Sequence, residues 1–425
     1  MAQRRKKDES VASAVGGGGA ATPSPLMSKF SNAVEKIVKV KAVSKFQKHF
    51  DAVSTGSFIV DQTIGGVHAS DGHPACLGFP RRRISEVAGA EGSGKTTLLL
   101  AALAKLAREG GTGVFLDFEQ AMSHEYAYSC GADFSLPSIK LYQPANLEEG
   151  LKILGLAIKL GVDLVAVDSL SAMVPQKEME KQLDAPAKVG ALAASMSTQM
   201  PKLATFLNQW NPEGRGTALV FLNQKRALIS TTPSYGGPSE TTSGGKAPKF
   251  YFSLRLDLAR IQTESVEVVD PLSGKKKKRS VGNVVGARLV KTKLAANLNT
   301  SGNFFIRYGQ GVDDAFSLMA TAEVHGIVER KGATYTYNGE SVAGKESFRK
   351  HLCEHPELMN TLREAVTKAI LETAPRAMTE EDAELEDLTS SVSIFSGGED
   401  GEEADPDAPA DLDLEDEATP GDDAE

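Results

Sequence analysis

The 425-residue sequence has only three cysteines, Cys76, Cys130 and Cys353, and they lie far apart. That excludes a disulfide scaffold and suits a reducing, cytoplasmic setting. Long apolar runs are missing as well: nothing approaches the roughly 18 uninterrupted apolar residues of a membrane-crossing helix, so no membrane partner is expected. The N-terminus MAQRRKKDES is basic, but glycine and alanine follow where a secretory signal needs an apolar segment. Met27 offers a second start of translation. Aromatic residues are sparse at 6%, yet the 41% hydrophobic content is that of an ordinary soluble protein. The length allows one large core and two or three domains.

Positive charge is absent from residues 377–425, which hold 20 Asp and Glu. Setting those twenty negative charges aside turns the overall net charge of −9 into +11 for residues 1–376. A basic body with an acidic tail suits a polyanion-binding protein that carries its own electrostatic competitor. A merely solubilising disordered tail accounts for the same residues equally well.

Organisation follows from pattern. Residues 1–27, basic and then GGGGAATPSP, read as a flexible arm. Phe30, Val34, Ile37 and Val38, set among lysines, predict a helix over 29–50, within a helix-and-linker segment at 28–53. Across 54–312, apolar runs at 84–87, 113–118, 164–168 and 218–223 alternate with helical stretches at 95–108, 148–160 and 188–207. Continuous apolar strands separated by helices predict an α/β fold, a mostly parallel central sheet covered by helices. Runs at 250–258, 284–294 and 303–308 lack intervening helices and predict an antiparallel extension. Residues 313–376 read as a small α/β domain, and 377–425 as the acidic disordered tail.

The chemistry concentrates in a few places. Gly89-Ala90-Glu91-Gly92-Ser93-Gly94-Lys95-Thr96, followed by Thr97, matches G-x-x-x-x-G-K-[ST] between a predicted strand and a predicted helix. In that context the glycines let backbone N–H groups wrap phosphates at a helix N-terminus. Lys95 would reach the β/γ-phosphates, and the Thr96 hydroxyl would ligate Mg²⁺. Asp168 ends an apolar strand, LVAVD, where a carboxylate can hold the same ion. Glu119, just past FLDF, is placed to deprotonate a water, although a capping or surface acid fits that position alone as well. Residues 229–245, which follow ALVFLNQ, contain two prolines and four glycines and have little to bury. A loop this long either works or is disordered.

Taken in order, STGS at 54–57, GAEGSGKTT, FLDFEQA, LVAVDS, FLNQKR, ETTSGGKAPKFY at 240–251 and VKTKLA at 290–295 resemble the bacterial RecA recombinase family. KGATYTYNGE at 331–340 resembles its small C-terminal domain. The resemblance implies a RecA-type P-loop ATPase core that uses ATP and Mg²⁺. It implies a DNA-dependent ATPase forming helical filaments on single-stranded DNA, pairing it with homologous double-stranded DNA and exchanging strands. A LexA-like repressor would be a partner in the response to DNA damage. By the same resemblance Glu119 is the catalytic glutamate, Gln224 the γ-phosphate sensor and Tyr126 the residue that stacks on adenine. Lys291 and Lys293 reach a neighbouring subunit's ATP site, while Lys249 and Phe250 lie at the subunit interface. Arg226, Tyr235, Thr241, Thr242, Gly244, Gly245 and Lys246 belong to the second DNA-binding loop; for Tyr235, inside an insertion, plain solvent exposure is an equal alternative. Read without the family, Val-Lys-Thr-Lys at 290–293 is only an alternating edge strand.

Departures stand beside these matches. The first DNA loop, within 175–190, has mixed charge, and Ala194 and Pro201 stand where the family has arginines. Ser123 replaces an aspartate near adenine. An insertion at 270–279 places five consecutive cations at a predicted hairpin tip. His68, His73 and Cys76, like His351, Cys353 and His355, lack an evident fourth ligand for zinc. A hexameric helicase-type motor and a non-catalytic DNA-binding relative are the rival readings. ETTSGG followed by VKTKLA argues against the first, and the intact nucleotide residues against the second.

Overall fold

Every residue of the strands Ile84–Gly89 and Leu164–Asp168 is buried, as a sheet covered on both faces requires. The computed structural model describes residues 25–38, 49–65, 74–181, 190–210, 216–227, 240–242, 245, 247–269, 275–294 and 301–373. In chain order these form α1 (Pro25–Val38), β1 (Ala52–Val53), α2 (Phe58–Gly65), β2 (Phe79–Pro80), β3 (Ile84–Gly89), α3 (Lys95–Arg108), β4 (Gly113–Asp117) and α4 (His124–Ser129). Then come β5 (Ile139–Tyr142), α5 (Leu147–Leu160), β6 (Leu164–Asp168), α6 (Gln176–Met179), α7 (Ala191–Gln209), β7 (Ala218–Ala227), β8 (Glu240–Thr242) and α8 (Ala247–Tyr251). The long strands β9 (Phe252–Val269) and β10 (Lys276–Thr292) lead to β11 (Ser301–Arg307) and β12 (Gly311–Val312). The small domain holds α9 (Asp314–Val324), β13 (Glu329–Lys331), β14 (Thr334–Tyr337), β15 (Glu340–Ala343), α10 (Lys345–Glu354) and α11 (Pro356–Thr373).

The central sheet runs β12-β11-β10-β9-β3-β7-β6-β4-β5, with β8 on the far end of β7. From β9 to β5 all neighbours are parallel; β10, β11 and β12 add antiparallel strands. One face packs α3 through Leu98, Leu99, Leu103 and Leu106 against Phe115, Val220 and Phe304. The other packs α5 and α7 through Leu154, Ile158, Met200 and Leu207 against Val165, Val167 and Phe221. Asn146 caps α5 by accepting from the Glu149 N–H at 2.9 Å, and Gly161, at φ +77°, ends it. A third core, Phe316, Tyr335, Phe348 and Leu362 around Phe305 of β11, holds the small domain.

The α/β architecture expected from the strand–helix alternation is present, with several shifts. The N-terminal helix begins at Pro25 and is described to Val38, so it crosses the expected boundary at residue 27; residues 39–48 of the expected 29–50 helix lie outside the described residues, and Pro25 suits a first helical position. Residues 250 and 251 belong to α8, so the next strand starts at Phe252, and that strand is parallel to β3 while antiparallel to β10. The cations at 276–279 lie along β10 and not at a hairpin tip, because each pairs across to β9. His68 and His73 fall outside the described residues, as do residues 1–24 of the arm, residues 182–189 of the first loop and the acidic tail. Among the described residues no cluster of His, Cys, Asp and Glu suits a metal ion, and no helix is long and apolar enough to cross a membrane.

The STGS turn fixes α2 against α3. Asp61, buried, accepts from Ser54 Oγ, and from Thr55 N and Thr55 Oγ1 at 2.7 Å each, while Lys105 Nζ donates to Ser54 Oγ at 2.9 Å. Burial pushes the Asp61 carboxyl up to about 6 despite those donors. Gly56 sits at φ +84°, where an added Cβ would lie 2.5 Å from the Ala101 carbonyl carbon. Gly92 has a similar φ, +68°, but open space around it. Gly56→Ala is therefore expected to lower stability by about 3 kcal/mol, against about 1 kcal/mol for Gly92→Ala. Urea midpoints of the two variants without nucleotide check the difference.

Candidate nucleotide site and the two edges of the sheet

The loop between β3 and α3 turns through Gly92 and Gly94, both at positive φ; a Cβ on Gly94 would lie 2.3 Å from Ile306 Cδ1. No side chain caps α3, so its first-turn N–H groups face the loop and favour an anion. Lys95 Nζ donates to Gly89 O at 3.1 Å and Ala90 O at 2.8 Å, arching over the loop. Burial lowers the Lys95 pKa, and Asp168, Glu119 and Glu91 oppose that shift. Ser93 Oγ is buried in the loop with no hydrogen-bond partner among the described residues. Phosphoryl oxygens fit this set of donors.

Parallel pairing brings the acids together. Asp117 of β4 stands level with Asp168 of β6, and Thr96 Oγ1 donates to Asp168 Oδ2 at 2.7 Å. Burial is the largest cause that pushes the Asp168 carboxyl up to about 6; Glu119 and Asp117 add to it. A hydroxyl and a crowded carboxylate form an oxygen donor set that could hold Mg²⁺. Glu119 Oε1 accepts from Ser169 Oγ at 2.7 Å and from Gln224 Nε2 at 3.1 Å. The Glu119–Gln224 bond joins residues 105 apart in the sequence. Tyr126 Oη lies 2.5 Å from Thr97 Oγ1, and Ser123 caps α4 by accepting from Tyr126 N at 3.3 Å. Sequence reasoning missed Ser169 and Asp117. Ser169 directly follows Asp168 and was within reach; Asp117 reads as one more strand-end acid until the register is known.

The lysine pair lies elsewhere. Lys291 pairs across to Arg255, which is level with Glu86; Lys293 N donates to Ser253 O at 2.8 Å, near the level of Ile84. The phosphate loop leaves β3 at Gly89, the opposite end. At about 3.3 Å per residue the offset to Lys293 is about 15 Å along the strands, and two strand spacings sideways add to it. Lys291 Nζ donates to Lys249 O at 2.5 Å and Lys293 Nζ to Phe250 O at 2.9 Å. Burial lowers the Lys291 pKa, and the neighbouring Lys293 and Arg255 add to it. The Phe250 side chain is 69% exposed beside them. Lys249, Phe250, Lys291 and Lys293 thus share one edge of the sheet, and the phosphate loop, Glu119 and Gln224 the other. Between the edges, buried Glu86 accepts from Arg255 Nε at 2.6 Å and Asn223 Nδ2 at 2.8 Å, tying β3, β9 and β7 together. No sequence pattern announced that link beyond a charge inside an apolar strand.

Of the expected DNA-loop residues, Arg226 is on β7 opposite Thr241 of β8, with Thr242 beside it, and Gly245 is at φ +82° close to Ala193 of α7. Tyr235, Gly244 and Lys246 lie outside the described residues. The family model of the RecA N-terminal domain matches residues 27–313, and that of the RecA C-terminal domain residues 317–371. The chain belongs to the RecA family. "Protein RecA" of Synechococcus elongatus is 36% identical over 322 residues, covering 75% of this chain and 81% of that protein. "Protein RecA" of Clavibacter michiganensis subsp. michiganensis is 37% identical over 316 residues, 74% of this chain and 78% of that one. "Protein RecA" of Nostoc sp. is 35% identical over 345 residues, 80% and 87% respectively. RecA membership makes this a protein of DNA recombination and repair that binds ATP and DNA.

A carboxylate with a raised pKa must lose its proton to take Mg²⁺. Mg²⁺-dependent nucleotide affinity should therefore be flat above about pH 6 and fall by up to tenfold per unit below it. Titrating a fluorescent nucleotide with wild type and Asp168→Asn checks this, since the difference between them removes the nucleotide's own ionisation. The variant should bind Mg²⁺-nucleotide weakly and lack the extra slope.

Proposed function

We propose that this chain is a DNA-dependent ATPase that polymerises head to tail on single-stranded DNA, pairs it with homologous duplex and exchanges strands. The observation that carries the reading is the separation of the lysine edge from the chain's own phosphate loop, described above. If Lys291 and Lys293 act on phosphate, they act on another copy's phosphate. A site shared this way needs a heterologous contact, and one that does not close into a ring grows as a helical filament. Two further features support it: Phe250 lies exposed on the lysine edge, and α1 exposes Leu26, Phe30 and Ile37, an apolar surface suited to the next subunit.

In this reading the loop from Gly89 to Gly94 cradles the triphosphate with backbone N–H groups, and Lys95 turns from its own carbonyls to the β/γ-phosphates. Thr96 and Asp168 would hold a Mg²⁺ ion, which supplies charge neutralisation at the phosphoryl oxygens. Glu119, oriented by Ser169, takes the proton of the attacking water. Gln224 exchanges its Glu119 partner for the γ-phosphate and passes that change along β7 towards β8 and residues 228–239. Tyr126 stacks on adenine. The neighbour's Lys291 and Lys293 stabilise charge in the transition state as an arginine finger does. Arg226, Thr241, Thr242 and Gly245, with Tyr235, Gly244 and Lys246, line the DNA. A LexA-like repressor would read the filament in a cytoplasmic damage response.

Glu119→Gln should keep nucleotide and single-strand binding while slowing hydrolysis by about 10²–10⁴-fold. Steady-state phosphate release beside a filter-binding assay checks it. Strand exchange between a single-stranded circle and homologous linear duplex tests the whole reading: wild type should form joint molecules with ATP, and none would overturn it.

A further inference from the structure

Among the described residues, strand β11 pairs with β10 from Gly282 to Arg288 and no further. Beyond Gly282, β9 and β10 continue as a two-stranded ribbon in which Ser265, Val266, Glu267, Val268 and Val269 face Ser280, Arg279, Lys278, Lys277 and Lys276. At about 3.4 Å per residue it projects roughly 15 Å. Both its faces are exposed, with Val266 and Val269 among the exposed apolar side chains.

Residues 275–279 are five cations in a row, and strand geometry divides them between the two faces. Lys276 and Lys278 share a face with Glu267, and Lys276 Nζ lies 3.2 Å from that carboxylate. Lys277 and Arg279 occupy the other face opposite Val268 and Val266, with no carboxylate across from them and no ion pair among the described residues. The next acid along β9, Glu264, is 3.4 Å from Lys345 Nζ of the small domain. Like charges packed this closely oppose the ribbon's own stability. A single lysine protects an exposed edge from aggregation, whereas five lysines and arginines with exposed valines beside them do more than that task needs.

The ribbon also leaves the sheet at a particular place. β10 runs antiparallel to β9, and β9 passes Gly89 at Leu258 before continuing outward. The ribbon therefore extends from the edge that carries the phosphate loop, Gln224 and the exit of β7, opposite the lysine edge.

We propose that this ribbon is a contact for double-stranded DNA that lies in the major groove. Two-stranded β-ribbons fit that groove. Lys277 and Arg279 on one face and Lys278 on the other reach the phosphates that wall it, while Val266 and Val268 face its floor, where thymine methyl groups offer apolar contact. The assignment rests on the reading of this chain as a protein that handles duplex DNA. The rival polyanion is the chain's own acidic segment at 377–425, and the test separates the two.

The experiment compares the full chain with its Lys277→Gln/Arg279→Gln variant, measuring affinity for a short random-sequence duplex across a salt series. Single-strand-stimulated ATP hydrolysis is measured in parallel, and Lys276→Gln serves as a paired-face control. Each lost phosphate contact removes about 0.9 from the slope of log affinity against log salt, so the double variant should lose about 2. Its single-strand-stimulated hydrolysis should stay within about twofold of wild type, and Lys276→Gln should change the duplex slope less. An unchanged duplex slope overturns the proposal. An unchanged slope together with faster proteolysis of residues 377–425 overturns it in favour of the acidic tail. Lack of single-strand-stimulated hydrolysis in wild type would count against the wider function, while the duplex slope would still decide the ribbon.

Discussion

A parallel sheet has two unlike ends, and this molecule depends on that asymmetry. Strand β3 can release its phosphate loop only at Gly89, and α3 returns from there with its N–H groups turned towards the loop. The same pairing brings Asp117, Asp168 and Gln224 to that edge, because β4, β6 and β7 all run in the same direction. At the other end β9 begins and β10 finishes, which collects Lys249, Phe250, Lys291 and Lys293. One copy therefore presents the loop's donors at one edge and a group of lysines at the other. The cheapest way to bring them together is to stack copies in one orientation.

In the proposed function, Glu119 is the residue that would connect the chemistry to the DNA side. Its Oε1 accepts from both Ser169 and Gln224, and Gln224 belongs to the strand that leads to β8 and the long segment between them. In the proposed function, a γ-phosphate that competes for Gln224 would change a side-chain anchor of that strand, next to the Lys225–Asp257 ion pair, so nucleotide state and DNA grip would become two ends of one lever. Buried Glu86, bonded to Asn223 of the same strand and to Arg255 next to Lys291, ties that lever to the lysine edge through the middle of the sheet. Both edges thus share one rigid element.

Much of this was readable in the residues. The phosphate loop carries its signature in consecutive positions, and the apolar runs of β3, β4, β6 and β7 mark a two-sided sheet, since each forms within a short window of sequence. α3 runs from Lys95 to Arg108, as its spacing predicts. What stayed hidden depends on register. Asp117, Ser169 and the Glu86–Arg255–Asn223 link become legible only when strands far apart in sequence are laid side by side. The full extent of β9 and β10 is hidden for a related reason: an exposed ribbon lacks the apolar alternation by which strands are recognised, and polar residues there look like a loop. The lysine pair is legible only by resemblance, and its place opposite the phosphate loop depends on register.

The most direct measurement is hydrolysis by mixed filaments. If the site is shared between copies as proposed, Glu119→Gln and Lys293→Ala each damage a different half of it. In an equimolar mixture about a quarter of the contacts join an intact Glu119 edge to an intact Lys293 edge. Single-strand-stimulated ATP hydrolysis in the mixture should therefore rise to about a quarter of the wild-type rate, far above either variant alone. A mixture no more active than the mean of the two variants would contradict the account, because both halves of the site would then lie within one chain.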